Sequence, residues 1–194
     1  AQFIDDFRSI FGNLSDSEIG NMTNRDNLIN LAAGHHLQKD QLSNLGQIIK
    51  EADCLSSGMD RDNAFNDIQD EKDWNAFKKK RMTSILQTVS FEEKTNNWWH
   101  LPVTSMELSK SYFPKKEFET EPDYASLWNA FVEEFKWIQA NTYHAFAETF
   151  LNLIQKYTSS VPSSTIDFPD VSLYDHLKTT AALSVCLYDF YQNK

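Results

Sequence analysis

The 194-residue chain is poor in the residues that make turns and bridges, with five glycines, five prolines and two cysteines. So few turn formers count against an all-β barrel or sandwich, whose many tight connections draw on glycine and proline. Cys54 and Cys186 are far apart in sequence and form no CxxC pair, so reduced, buried thiols are expected and neither sulfur is a candidate nucleophile. No uninterrupted apolar run reaches membrane-spanning length, and the N-terminus lacks the basic, apolar and small-residue layout of a signal peptide. The expectation is a soluble, cytoplasmic protein without a membrane partner. Positive charge is scarce too, 18 Lys+Arg against 28 Asp+Glu for a net charge of −10. A module that grips duplex DNA through its phosphates is normally basic, which argues against a stand-alone DNA-binding domain. It does not exclude a nuclease, because a metal centre inverts the field around it.

What is present is helical periodicity. Hydrophobic residues make up 41% of the chain, enough for one core, and the expectation is a single mainly α domain over 1–194. Phe3, Phe7, Ile10 and Phe11 recur at helical spacing, and Asp16 is placed to cap a second short helix. A helix over 27–33 ends at Gly34, which leaves His35 and His36 just past a helix end, able to face a cleft. Leu42, Leu45, Ile48, Ile49, Ala52 and Leu55 form an amphipathic stripe with Asp53 on its edge. A carboxylate held partly against a core costs free energy unless it is paired, hydrogen-bonded or metal-bound, so Asp53 stands out. The run Lys78 to Arg81 reads first as a solvated helix end and second as a nucleic-acid contact. Residues 81–106 are β-prone or aromatic, with Thr95-Asn96-Asn97 as a turn, so a small β-hairpin or irregular insertion is expected at about 81–123. Trp98 and Trp99 within it read as core or subunit contacts ahead of base-stacking platforms. Residues 124–157 are helical, as one helix or two, with Leu127, Phe131, Phe135, Ile138, Phe146, Phe150 and Ile154 as core, and a last helix covers 172–188.

The chain has five histidines, and three of them fall in two pairs, His35-His36 and Asp175-His176. Imidazole and carboxylate are the ligands of hydrolytic divalent metals, so these segments and Asp53 are candidates for one site. By spacing alone His176, on a face with Thr180, Leu183 and Leu187, is more often a core histidine than a ligand. The sequence around it says more. Ser172-Leu173-Tyr174-Asp175-His176-Leu177-Lys178-Thr179-Thr180-Ala181-Ala182 closely resembles a segment of the large subunit of type III CRISPR effector complexes, of the Csm and Cmr kinds. The resemblance takes in Leu153 to Tyr157, Pro162-Ser163-Ser164-Thr165, His35-His36 and the run Ala52-Asp53-Cys54-Leu55-Ser56-Ser57-Gly58-Met59-Asp60-Arg61.

The resemblance implies a circularly permuted HD domain, a helical metal-dependent phosphohydrolase fold with its chain order rotated. His35, His36, Asp53 and His176 would be the metal ligands. Asp175 would be a partner behind them or the cap of the helix whose first turn it occupies. The family's hallmark His-Asp dipeptide occurs nowhere in this sequence, and the chain opens within a helical pattern. The expectation is therefore a fragment that begins downstream of that pair, with an incomplete metal site, its catalytic residues unassigned and activity weak or absent. In the whole protein the resemblance implies cleavage of single-stranded DNA by metal-assisted hydrolysis. The metal would be manganese, nickel, cobalt or magnesium, and the partners palm domains and the other subunits of a type III CRISPR ribonucleoprotein. Two other readings stand beside it: a non-catalytic HD-fold scaffold that docks those subunits, and a nucleotide phosphohydrolase.

Overall fold

Helix dominates, as the shortage of turn residues predicts. A computed structural model of the chain describes residues 2–11, 14–20, 25–34, 37–60, 76–89, 98–164 and 169–193. Among them are α1 (Gln2–Asp6), α2 (Asp16–Ile19), α3 (Leu28–Gly34), α4 (Asn44–Asp60), α5 (Tyr124–Phe135), α6 (Tyr143–Thr158) and α7 (Leu173–Gln192). Short 3-10 helices lie at Lys39–Gln41, Ala76–Lys79, Ile85–Val89 and Lys110–Tyr112, and β pairing among the described residues is confined to isolated bridges. The chain divides into two units. The first is Ala1–Met59, Glu134–Leu151 and Leu177–Lys194, and the second is Asp60–Glu133 and Asn152–His176.

The first unit is built on aromatic rings. Phe135 is fully buried, and its ring meets Phe3, Phe7, Phe11, Phe146 and Phe150 at centroid distances of 4.8, 5.5, 5.6, 6.5 and 5.4 Å. Phe146 and Phe150, four apart on α6, stack at 5.6 Å, the separation one helical turn imposes. Helix α1 stops at Asp6, short of the Phe3, Phe7 and Phe11 periodicity. Phe7 to Phe11 continue as turns, so the rings reach the cluster without a continuous helix.

Helices α1 and α2 pack on α3. A Cβ added to Gly20 would lie 2.5 Å from Ile29 Cδ1, so glycine is what allows the segment after α2 to approach α3. The cap of α2 corrects the expected one. Ser15, not Asp16, holds that position, because Glu18 lies three residues on and its carboxylate accepts the Ser15 N–H at 2.7 Å and the Ser15 hydroxyl at 2.6 Å. Those two bonds hold the Glu18 carboxyl below its ordinary value.

Two further expectations are corrected. In α4, Leu55 is 46% exposed, while Gly46, Ala52 and Ser56 are buried. Small residues hold the buried positions of this helix. Cys54 and Cys186 are unbridged as expected but exposed rather than buried, since both fall on outward positions of their helices.

The second unit is held by backbone pairing and buried hydroxyls. Thr83 bridges His100, and His100 in turn bridges Lys115. Ser84 N–H reaches Trp99 O, Leu101 N–H reaches Met82 O, and His100 and Lys115 exchange both bonds, each at 2.8 Å. Fastenings to distant chain complete it: Thr83 N–H to Pro169 O at 2.7 Å, Met106 N–H to Lys156 O at 2.6 Å, and the Ser160 hydroxyl to Thr104 O at 2.7 Å. Apolar packing there sets Phe131 against Trp128 and Tyr157, with Met82 and Leu153 also buried. The Thr95-Asn96-Asn97 turn lies outside the described residues.

Candidate functional site

The start of α7 places His176. Pro162 and Ser172 form an antiparallel bridge flanked by Ser163 N–H to Val171 O (2.9 Å) and Leu173 N–H to Val161 O (2.7 Å). Ser172, 2% exposed, accepts the Asp175 N–H on its Oγ at 3.0 Å and donates the same hydroxyl to Asp175 Oδ2 at 2.6 Å. The serine thus occupies the capping position and Asp175 closes the first turn, while His176 N–H bonds Ser172 O at 3.0 Å. Asp175 is exposed and His176 half-buried. On the same helical face, one turn later, Thr180 carries a buried Oγ1 that has no hydrogen-bond partner among the described residues.

In the first unit, Asp53 is half-buried on α4, between buried Ala52 and the Ser56 line. Helix α3 ends at Gly34, as the sequence predicts. A Cβ there would come 2.9 Å from Leu42 Cδ2, so the end of α3 approaches the start of the α4 region closely. Beside it is a cavity of about 360 Å³ lined by Arg25, Leu31, Gly34, Leu37, Leu42 and Gly46. A second cavity of about 600 Å³ has Asp26, Glu51, Tyr188 and Tyr191 in its walls. Asp53 lines neither.

Of the four expected metal ligands, Asp53 belongs to the first unit and His176 to the second, and His35 and His36 lie outside the described residues. No group of three or more His, Cys, Asp or Glu side chains able to hold a metal occurs among the described residues. No helix among them is long and apolar enough to cross a membrane.

The second unit also has electrostatics of its own. The Arg81 guanidinium lies 3.8 Å over the Phe118 ring and donates to Thr120 O at 2.7 Å. Burial, then the Arg81 charge, holds His100 below the ordinary imidazole value. Burial pushes the Tyr124 phenol up to about 12 against the opposing pull of Arg81, and its hydroxyl donates to Lys80 O at 2.6 Å. Lys116 lies 5.3 Å over the Trp99 ring. Lys115 and Lys116 fall in the insertion expected at about 81–123 and were not among the candidate residues. The paired lysines beside a β-prone run were the available signal.

Comparison with known proteins then fixes the kinship. Over 180 residues, 86% of this chain, the sequence is 32% identical to a protein of Methanocaldococcus jannaschii described as the CRISPR system single-strand-specific deoxyribonuclease Cas10/Csm1, subtype III-A. The chain is homologous to the Cas10/Csm1 large subunit of type III CRISPR effector complexes. Cas10/Csm1 proteins of the same description from Streptococcus thermophilus and Enterococcus italicus are 30% and 33% identical over 81% and 72% of the chain. The chain spans about a fifth of the length of these Cas10/Csm1 relatives: 22%, 21% and 19%. No family model matches the chain, and no solved structure matches it significantly.

Proposed function

We propose that this chain is the HD nuclease module of a type III CRISPR effector large subunit, and that in the complete protein it cleaves single-stranded DNA with a divalent metal. The observation that carries the reading is the homology to three proteins each described as a single-strand-specific deoxyribonuclease. His35, His36, Asp53 and His176 are the proposed ligands, in a permuted HD fold over 1–194, with Asp175 behind His176. One imidazole and one carboxylate among the described residues are a donor set that suits manganese, nickel, cobalt or magnesium rather than a thiolate-bound structural zinc. Two donors are too few to hold such an ion, so the reading draws further ligands from His35 and His36.

When bound, the metal polarises a water and neutralises charge on the scissile phosphate. The protein's part is to hold ligands still. The Ser172 cap and the Pro162 bridge fix the backbone from which His176 projects, and the buried Ala52 and Ser56 line fixes the helix that carries Asp53. The proposed partners are the palm domains and other subunits of the ribonucleoprotein, and single-stranded DNA as substrate.

The test uses the complete protein with manganese and a labelled single strand. Asp53→Ala and His176→Ala are expected to reduce cleavage to background while far-UV circular dichroism keeps its helical signal, and the 194-residue chain alone is expected to cut slowly or not at all. Metal-stimulated cleavage indifferent to Asp53→Ala overturns the site. An inert complete protein hands the case to a scaffold that docks subunits.

A further inference from the structure

In a chain of net charge −10, residues 76–89 and 98–116 carry seven lysines and arginines against one acid, Glu107. The bridges from Thr83 to His100 and from His100 to Lys115 draw these two runs side by side within the second unit. Aromatic rings are interleaved with the charges. Arg81 and Lys115 share the Phe118 ring, at 3.8 and 6.0 Å from its centroid, and Lys116 lies over Trp99. Arg81 is half-buried and tied to Thr120 O, so it serves as the anchor of the group. Lys115 and Lys116 are exposed, and Trp99 keeps 42% of its surface in solvent beside them. Glu117, Glu119 and Glu121 follow directly, which ends the positive surface at one edge.

Exposed ammonium groups next to an exposed indole match a strand whose phosphates and base faces are both accessible. A duplex hides its base faces and demands a broader positive surface than this chain offers. We propose that Trp99, Lys115 and Lys116 form a binding track for single-stranded DNA, with the lysines on phosphates and the indole as a stacking platform. The proposal deepens the nuclease reading by naming how the strand is held. It uses none of the proposed metal ligands.

Fluorescence anisotropy of a labelled 20-nucleotide thymidine strand with the 194-residue chain, in EDTA, reads binding without cleavage. Trp99→Ala is expected to weaken binding roughly tenfold, within the range stacking contributes per base, and Trp99→Phe to restore most of it. Lys116→Glu is expected to weaken binding similarly and to reduce the slope of log K against log salt by about 0.7. Lys136→Glu, an exposed charge reversal in the first unit, is expected to change it less than twofold. Unchanged affinity in both Trp99→Ala and Lys116→Glu overturns the track, as does equal affinity for a duplex of the same length or tighter binding of RNA. Failure of the metal site would leave this binding intact. Failure of the track would leave the effect of Asp53→Ala in place.

Discussion

The two units of this chain solve the same problem with different materials. The first buries rings: six phenylalanines from three separate stretches of sequence meet around Phe135. The second buries hydroxyls and backbone: Thr83, Ser160 and Ser172 are almost wholly enclosed, and each has a partner, His100 Nδ1 at 3.4 Å, Thr104 O and Asp175. A ring core gains stability from apolar area and tolerates small shifts of its contacts. A hydroxyl core depends on bond geometry, and a buried group that loses its partner keeps the desolvation penalty. The first unit should therefore fail by losing volume and the second by losing single hydrogen bonds.

Phe135→Ala is the hardest test of that contrast. Removing a fully buried ring met by five others should cost about 3 to 5 kcal/mol, read as a lowered midpoint in urea unfolding. Phe131→Ala in the second unit, where the ring is 8% exposed beside Trp128 and Tyr157, should cost less. Equal costs would mean that both units rest on their rings.

Ser172→Ala probes the other material. It removes a buried hydroxyl that both caps α7 and holds the Asp175 carboxylate, and about 1 to 2 kcal/mol should be lost. Amide exchange at Asp175 and His176 should quicken more than elsewhere in α7. Uniform protection along the helix would remove the cap from the account of how His176 is placed.

This difference in materials also decides what could be read from the sequence. Apolar residues on helices announce themselves by period, so α4 to α7 and the Phe131, Phe135, Phe146 and Phe150 positions were legible. The bonds that fasten 81–123 to distant chain involve Pro169, Lys156 and Ser160, partners that leave no period, so the segment read as β-prone or irregular without its register. Leu55 misled because hydropathy favours a leucine over the Ser56 beside it, while it is the serine that is buried. Asp53 and His176 were singled out by residue type and resemblance. Spacing along a chain fixes angles around one helix but carries no distance between helices, so it sets no separation for the two.

A pH titration sharpens the comparison. His100 is held below its unfolded value of about 6.5, so the native state favours the neutral ring. Its stabilising contribution is then complete above that value and lost as pH falls through the folded pKa. Acidification from pH 7.5 to 5 should lower the midpoint of thermal unfolding less in His100→Gln than in the parent. The change should appear first in the amides of Thr83 to Ser84 and Trp99 to Leu101. An identical profile in both proteins would place the acid sensitivity elsewhere.

Thr180 supplies the smallest effect and the one with the opposite sign. Its Oγ1 is buried in the first unit without a partner among the described residues, one turn beyond His176 on the half-buried face of α7. If the first unit relies on apolar packing, this hydroxyl contributes nothing there and carries a desolvation cost. Valine keeps its branched shape and removes that cost. Thr180→Val should therefore leave stability unchanged or raise it by up to about 1 kcal/mol, where Ser172→Ala lowers it. A loss of more than about 1 kcal/mol would show that the hydroxyl has a partner after all. The turn of α7 beside His176 would then hold a polar contact, and mutating Thr180 in the complete protein should disturb cleavage as well as folding.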